Sequence, residues 1–423
     1  MKKFFTIVLL STVISLQAQT PDSVTIGASY ANKGYYTLNT MNDTIVPHND
    51  WDIAVASYAL FTVSIRINAG FGVELYKSAG DTTAWSSLDT TGLQGGVTWI
   101  RCHDSDTSFE PSAFETGATG HPNYGWGNYN SVTHDVIGDK IYVVRLAGPT
   151  AVFKKVWIKK FNAVNNSIEI RVANLDNTSD NMVIVFRNTN KNYSEVSLAT
   201  GTIMDREPAK GSFDLVFEKY ETDLGGGYYY PVTGVKSNQG VKVTKASQIL
   251  PSAAYSNWYS NYYPSATNMI EIGYDWKTFD MGTFQWTIED SLSYFVQDLQ
   301  GDVYQITFTG FGGSTDGKSV FNVRQVGWVS VEEQGNTIAN FNIYPNPASD
   351  FINMAYTMDN AFETATLHII DINGKYISSQ KLGNNQGFNQ TMIDLTSMHL
   401  ASGVYVAQLI VGNSAATQRF IVR

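Results

Sequence analysis

Apolar and polar residues alternate with a period of two through the middle of the chain. Phe61, Val63, Ile65 and Ile67 alternate with Thr62, Ser64, Arg66 and Asn68; Ile168, Ile170 and Val172 with Glu169 and Arg171; Tyr304, Ile306 and Phe308 with Gln305 and Thr307. This pattern predicts strands with one buried and one wet face, as in antiparallel sheets. No convincing helical period runs beyond about three turns. The expected fold class is all-β.

The pattern also repeats itself. Trp51-Asp52-Ile53-Ala54-Val55 recurs as Phe213-Asp214-Leu215-Val216-Phe217, and GWGNYN around Trp126 matches YDWKTFD around Trp276. Val156, Ile158 and Phe161 match Ile306, Phe308 and Phe311, and Ile137–Val144 parallels Ile288–Val296. Four anchors in one order predict two related antiparallel β domains in tandem, 20–178 and 179–332. A polar linker follows at 333–340, with Glu332-Glu333-Gln334-Gly335-Asn336 as the expected site of severance.

Residues 341–423 read as a small sandwich of short strands. Leu367, Ile369 and Ile370 and then Val404, Val406, Leu409 and Val411 supply the apolar positions, and Asn373-Gly374 is a strong hairpin-turn signal. Tyr344-Pro345-Asn346-Pro347, Asp371 with Asn373-Gly374-Lys375, Ser402-Gly403-Val404-Tyr405 and Phe420-Ile421-Val422 occur in order. In these residues the stretch closely resembles the type-A C-terminal sorting domain of type IX secretion cargo. The resemblance implies that the type IX machinery takes the chain across the outer membrane through 341–423. It also implies removal of the tail and release or surface attachment.

The N-terminus fits that route. Lys2-Lys3, an apolar run from Phe4 to Leu16 and a small-residue site at Leu16-Gln17-Ala18 predict a signal peptide over 1–19. The run is too short to span a bilayer, and no later stretch is long and apolar enough for a transmembrane helix. The expected location is secreted, or attached to the outer cell surface after crossing the periplasm. A formal charge of −10 argues against nucleic acid. The single cysteine, Cys102, excludes an intramolecular disulfide framework and reads as a small buried apolar residue.

The repeated units carry a second resemblance. Asp50-Trp51-Asp52-Ile53-Ala54 with Arg66-Ile67-Asn68, Phe213-Asp214-Leu215, Gly234–Asn238, Ile272–Lys277 and the strand from Val303 to Phe311 are similar to the HmuY-like family of secreted haem-binding proteins. The resemblance implies an all-β fold gripping a tetrapyrrole between loops, with two axial side chains on the iron. Haem iron takes His, Met, Tyr or Cys. The first unit offers His103, His121 and His134 between its shared strand groups. The second contains no histidine, leaving Met269, Met281 or tyrosine. Two ring-rich loops, His121–Asn130 with Tyr124 and Trp126, and Tyr255–Met269 with Trp258, Tyr259, Tyr262 and Tyr263, could stack on a planar ligand or a sugar face. The competing reading caps sheet ends with the same rings and puts Trp126 and Trp276 in the core. Asp52 and Asp214 are expected to bond nearby backbone.

Some motifs imitate chemistry. Gly312–Ser319 satisfies the phosphate-loop pattern, but strand-like residues follow where a helix is required, so Asp316-Gly317 reads as a hairpin turn. His103-Asp104-Ser105-Asp106 lacks the length and later glutamate of a calcium loop. No nucleophile elbow or spaced metal set is present in the sequence. The expectation is an exported binding protein, not an enzyme, with haem or porphyrin as the sharpest ligand. The alternatives are a surface adhesion or structural protein contacting glycan or protein, and a secreted hydrolase whose carboxylate pair is assembled by the fold.

Overall fold

The computed structural model describes residues 19–59, 62–89, 99–327, 338–358, 365–371, 375–382, 387–398, 400–411 and 414–423. Residues 1–18 of the expected signal peptide, Phe61, the expected linker residues Glu332–Asn336, the expected turn residues Asn373-Gly374 and His399 lie outside them. Two compact units divide the chain at 328/329. Among the described residues no helix is long and apolar enough to cross a membrane.

The fold is all-β. The first copy begins with β1 (Thr20–Thr25), β2 (Asn32–Thr37), β3 (Asn42–Pro47), β4 (Ile53–Ala56) and β5 (Ile65–Ile67). It continues through β6 (Glu74–Asp81), β7 (Ile100–Cys102), the hairpin β8 (Gly127–Tyr129) and β9 (Val136–Gly138), then β10 (Lys140–Arg145), β11 (Phe153–Asn162) and β12 (Ser167–Asn174). The second copy begins with β13 (Asn181–Phe186), β14 (Tyr193–Val196), β15 (Ile203–Met204), β16 (Leu215–Asp223), β17 (Tyr229–Ser237) and β18 (Lys242–Ser247). Two short helices, α1 (Pro251–Ser256) and α2 (Trp258–Asn261), precede the hairpin β19 (Lys277–Asp280) and β20 (Gln285–Ile288). Strands β21 (Leu292–Gln297), β22 (Val303–Phe311) and β23 (Lys318–Gly327) complete it.

The two copies exchange their opening strands. β1 pairs antiparallel with β23, from Thr20 opposite Val323 to Thr25 opposite Lys318, and β2 pairs with β16. In return β13 pairs with β12 and β14 with β4. Val24, Ile26, Tyr36 and Leu38 therefore lie in the apolar core of the second copy, and Val183, Val185, Val196 and Leu198 in that of the first. The sequence repeat divides at 178/179, but residues 20–47 complete the later body and 181–204 the earlier one.

Each exchange is fastened by one buried carboxylate. Asp52 Oδ2 accepts from Leu198 N at 2.6 Å, and Asp214 Oδ2 accepts from Leu38 N at 2.8 Å. The backbone repeats the symmetry, Asp52 N donating to Val196 O and Asp214 N to Tyr36 O. Asn68 donates to the carbonyls of His48 and Trp51, and Asn238 to those of Lys210 and Phe213. Trp126 and Trp276 are wholly buried in corresponding cores, donating to Val63 O and Gly273 O.

One expected wet face is dry. Ser64, Arg66 and Asn68 are buried, because the other copy and the 104–115 loop cover that side of β5. Gln305 is buried under α1, donating to Pro251 O and Ser293 Oγ. Period two was right about backbone geometry; polar residues met partners instead of water.

The hairpins break the symmetry. β8–β9 lies against β11, and Trp157 donates to Gly138 O. A Cβ at Gly138 would stand 1.6 Å from Ile158 O, so only glycine permits that approach. The second copy carries Lys277 and Ile288 where the first has Gly127 and Gly138, and β19–β20 stands as a separate two-stranded ribbon.

The other unit is a β-sandwich. One sheet joins β24 (Ile338–Tyr344), β25 (Phe351–Met358) and β28 (Gly387–Asp394); the other joins β26 (Ala365–Asp371), β27 (Tyr376–Leu382), β29 (Gly403–Val411) and β30 (Ser414–Val422). Ile352, Met354, Tyr356, Leu367, Ile369, Leu409 and Phe420 fill the space between them. Asn346 ties the Tyr344–Pro347 segment to the last strand, accepting from Ile421 N and donating to Arg419 O.

Replacing either clamp strands a buried amide. Asp214→Ala is expected to cost about 3 kcal/mol and Asp52→Ala a similar amount, read by denaturant unfolding of the full chain followed by tryptophan fluorescence. A loss below about 0.5 kcal/mol at both would show the clamps to be idle.

Candidate functional site

A groove of about 720 Å³ lies between β19–β20 and the β16–β17 hairpin. Its wall is a ladder of rings. Tyr30 lies parallel to Phe311 at 6.2 Å, Trp286 meets Phe311 edge-on at 5.0 Å, and Phe279 stands 5.1 Å from Trp286. Gly313, at φ +64, lets the indole of Trp286 lie against the backbone; a Cβ there would come within 2.8 Å of its nitrogen. Tyr230 and Tyr274 face the ladder, with Thr233, Asp275, Thr278 and Ser314 as polar edges. Half-exposed rings held by ring neighbours offer flat apolar area at little entropic cost.

Lys277 lies under this wall. Its Nζ donates to Thr233 O at 2.6 Å and Tyr274 O at 3.3 Å, and sits 4.1 Å from the Trp276 ring and 4.6 Å from that of Phe311. Burial lowers its pKa to about 7. Lys219 lies on the groove's inner side, its Nζ 4.9 Å from the Phe71 ring, and burial lowers its pKa too.

Lys219 also borders a cavity of about 100 Å³ where the two copies meet. This cavity is lined by charge, and three of its cations face carboxylates. Lys33 bonds Glu195, Lys236 Nζ lies 2.9 Å from Glu218, and Arg66 lies 3.9 Å from Asp104. Glu195 also accepts from Arg206, which bridges to Asp50. His48 accepts from Trp51 Nε1 and donates through Nε2 to Lys219 O, which fixes a neutral tautomer. Burial lowers its pKa to about 4. Burial alone would raise Glu218, yet Lys236, His48 and Lys33 hold it at about 2.

The residues singled out in the sequence scatter. His103 stacks on Tyr229 at 3.5 Å with Nδ1 2.7 Å from Glu221, so its ring is occupied. His121, Tyr124, Tyr129 and His134 do come together: the His121 and Tyr129 rings lie 4.7 Å apart, and Tyr129 Oη is 2.5 Å from His134 Nδ1. This cluster is largely exposed. Trp126 is core, not rim. Trp258, Tyr259 and Tyr263 share one exposed cluster at α2, whereas Tyr262 turns inward onto Phe295. Met269 is buried beside the inner cavity, and Met281 is exposed at the tip of β19–β20, so the two do not flank one pocket. Asp104 accepts from Ile67 N and Ala113 N, and Asp106 from Thr222, which uses the calcium-like loop internally. The Cys102 thiol is buried and its pKa raised by that burial. Among the described residues no three His, Cys, Asp or Glu side chains are grouped to hold a metal.

Sequence reasoning missed the groove. Tyr30, Phe279, Trp286 and Phe311 are dispersed over more than half the chain. No local pattern in the sequence links them.

Residues 342–423 match the family model of the secretion system C-terminal sorting domain. The chain is thereby marked for export by type IX secretion, to the cell surface or the medium. No curated protein matches the sequence. Among solved structures, dimeric latent PorU from Porphyromonas gingivalis is similar at 9% identity and a TM-score of 0.18, over 95% of this chain and 34% of that one. The chain thus spans about a third of that PorU chain. The BSP domain of a biofilm-associated protein matches at 9% identity and TM-score 0.17, over 98% of this chain and 84% of that one. A fungal alcohol oxidase of the AA5 family, in complex with copper, matches at 9% and 0.17 over 96% and 100%. Scores this low carry no argument, and none of these matches supports the HmuY-like resemblance.

His48 makes the junction of the copies acid-sensitive. A base held neutral by burial contributes stability above pH 6.5 that is lost as pH falls toward 4, roughly 3 kcal/mol for this shift. Buried Glu207, raised to about 7, has the opposite sign over the same range. The test is therefore a difference: His48→Gln should gain on the parent by about 3 kcal/mol between pH 7 and pH 4 in denaturant unfolding. A pH-independent difference would remove His48 from this role.

Proposed function

We propose that this exported protein binds carbohydrate on the outside of the cell, holding sugar rings against the aromatic wall of the groove. The ladder from Tyr30 through Phe311 and Trp286 to Phe279 carries this reading. Pyranose faces present C–H groups that pack on such rings, and the hydroxyls at their edges suit Thr233, Thr278 and Ser314. The type IX route supports the setting, because it delivers the chain to the cell surface or the medium. Binding rather than hydrolysis is supported by the carboxylates of the inner cavity, each committed to a cation.

Haem capture is a second reading, favoured by His121 and His134 meeting at Tyr129. The groove itself suits haem less: among the described residues its lining has no His, Met or Cys, and burial raises the phenols of Tyr30 and Tyr274, which disfavours an iron-bound phenolate.

Affinity electrophoresis in gels containing soluble polysaccharide should retard the full chain, and Trp286→Ala should weaken retention at least tenfold, about 1.4 kcal/mol. Unchanged retention in that variant would sink the groove reading. For the alternative, a Soret shift on adding haem, abolished in His121→Ala/His134→Ala, is the expected signature; an unshifted spectrum dismisses it.

A further inference from the structure

We propose that the groove selects acidic sugars, its aromatic wall stacking the ring while Lys219 receives a uronate carboxylate. This rests on the carbohydrate reading. Two lysines, Lys219 and Lys277, border the groove, and among the described residues neither Nζ is within ion-pair distance of a carboxylate. The groove's own carboxylate, Asp275, is already held by Lys245 at 2.6 Å. On the other side of Lys219 the arrangement is reversed. Lys33, Arg66 and Lys236 each face a carboxylate across the inner cavity. Lys219, which borders both the inner cavity and the groove, has no such partner among the described residues.

Position matters as well as sign. Lys277 is bound to two carbonyls and lies beneath the rings, so it does not reach out to a ligand. Lys219 is half-buried, makes only a ring contact, and stands on β16. That strand is pinned by His48 at the Lys219 carbonyl. A partly desolvated ammonium gains more from an arriving carboxylate than a solvated one does. A ring with a carboxylate at its edge satisfies both the apolar wall and the free cation. A neutral sugar satisfies only the wall.

Polygalacturonate and its fully methyl-esterified form share one backbone and differ in charge, so they make the test. The full chain is expected to bind the free acid at least tenfold tighter than the ester. Lys219→Gln should erase that preference while retaining the ester affinity, and Lys219→Arg should restore it. Equal binding of the two polymers by the parent, or a preference surviving in Lys219→Gln, would overturn the inference and leave the carbohydrate reading standing. Binding of neither polymer would overturn both.

Discussion

The architecture depends on two buried carboxylates that each hold the other copy's chain. Asp52 lies in the first copy and bonds Leu198 in the second; Asp214 lies in the second and bonds Leu38 in the first. Such carboxylates are costly to bury, and burial raises the pKa of both. Backbone donors offset the cost, so the position tolerates no apolar substitute that leaves those donors bare. The reciprocal bonds turn a tandem repeat into an interlocked pair. They also bring β5 and β16, with their charged residues, to a common junction.

At that junction buried charge is managed by pairing. Such pairs add little net stability over well-packed apolar residues, but removing one partner is severe. They therefore define how the copies meet more than how strongly. The candidate groove lies where the repeat departs from itself. Gly138 lets one hairpin approach its sheet closely, β9 pairing with β11, whereas β19–β20 pairs only within itself.

Much of the fold was legible because strand period and repeat anchors are local in sequence. Trp126 and Trp276 occupy equivalent cores, the Gly312–Ser319 stretch forms a turn and strand, and the tail is a sandwich. The exchange was not legible, since repeated strands read the same whichever copy they pair with. The dry side of β5 was missed for a related reason: Arg66 and Asn68 look solvent-facing until the 104–115 loop and the His48–Trp51 segment supply their partners. The groove was missed because its rings come from separate segments, and composition drew attention instead to loops dense in aromatics. Of those, Tyr262 packs inward and Trp126 is core.

The pairing of β1 with β23 sets a timetable. Chains are made from the N-terminus, so Thr20–Thr25 is made early and Lys318–Gly327 among the last of its unit. Until β23 arrives, β1 has no hydrogen-bonding edge and the later body has no closing strand. The nascent cargo is thus kept ajar by its own topology, and the latch drops only when nearly the entire body has been delivered.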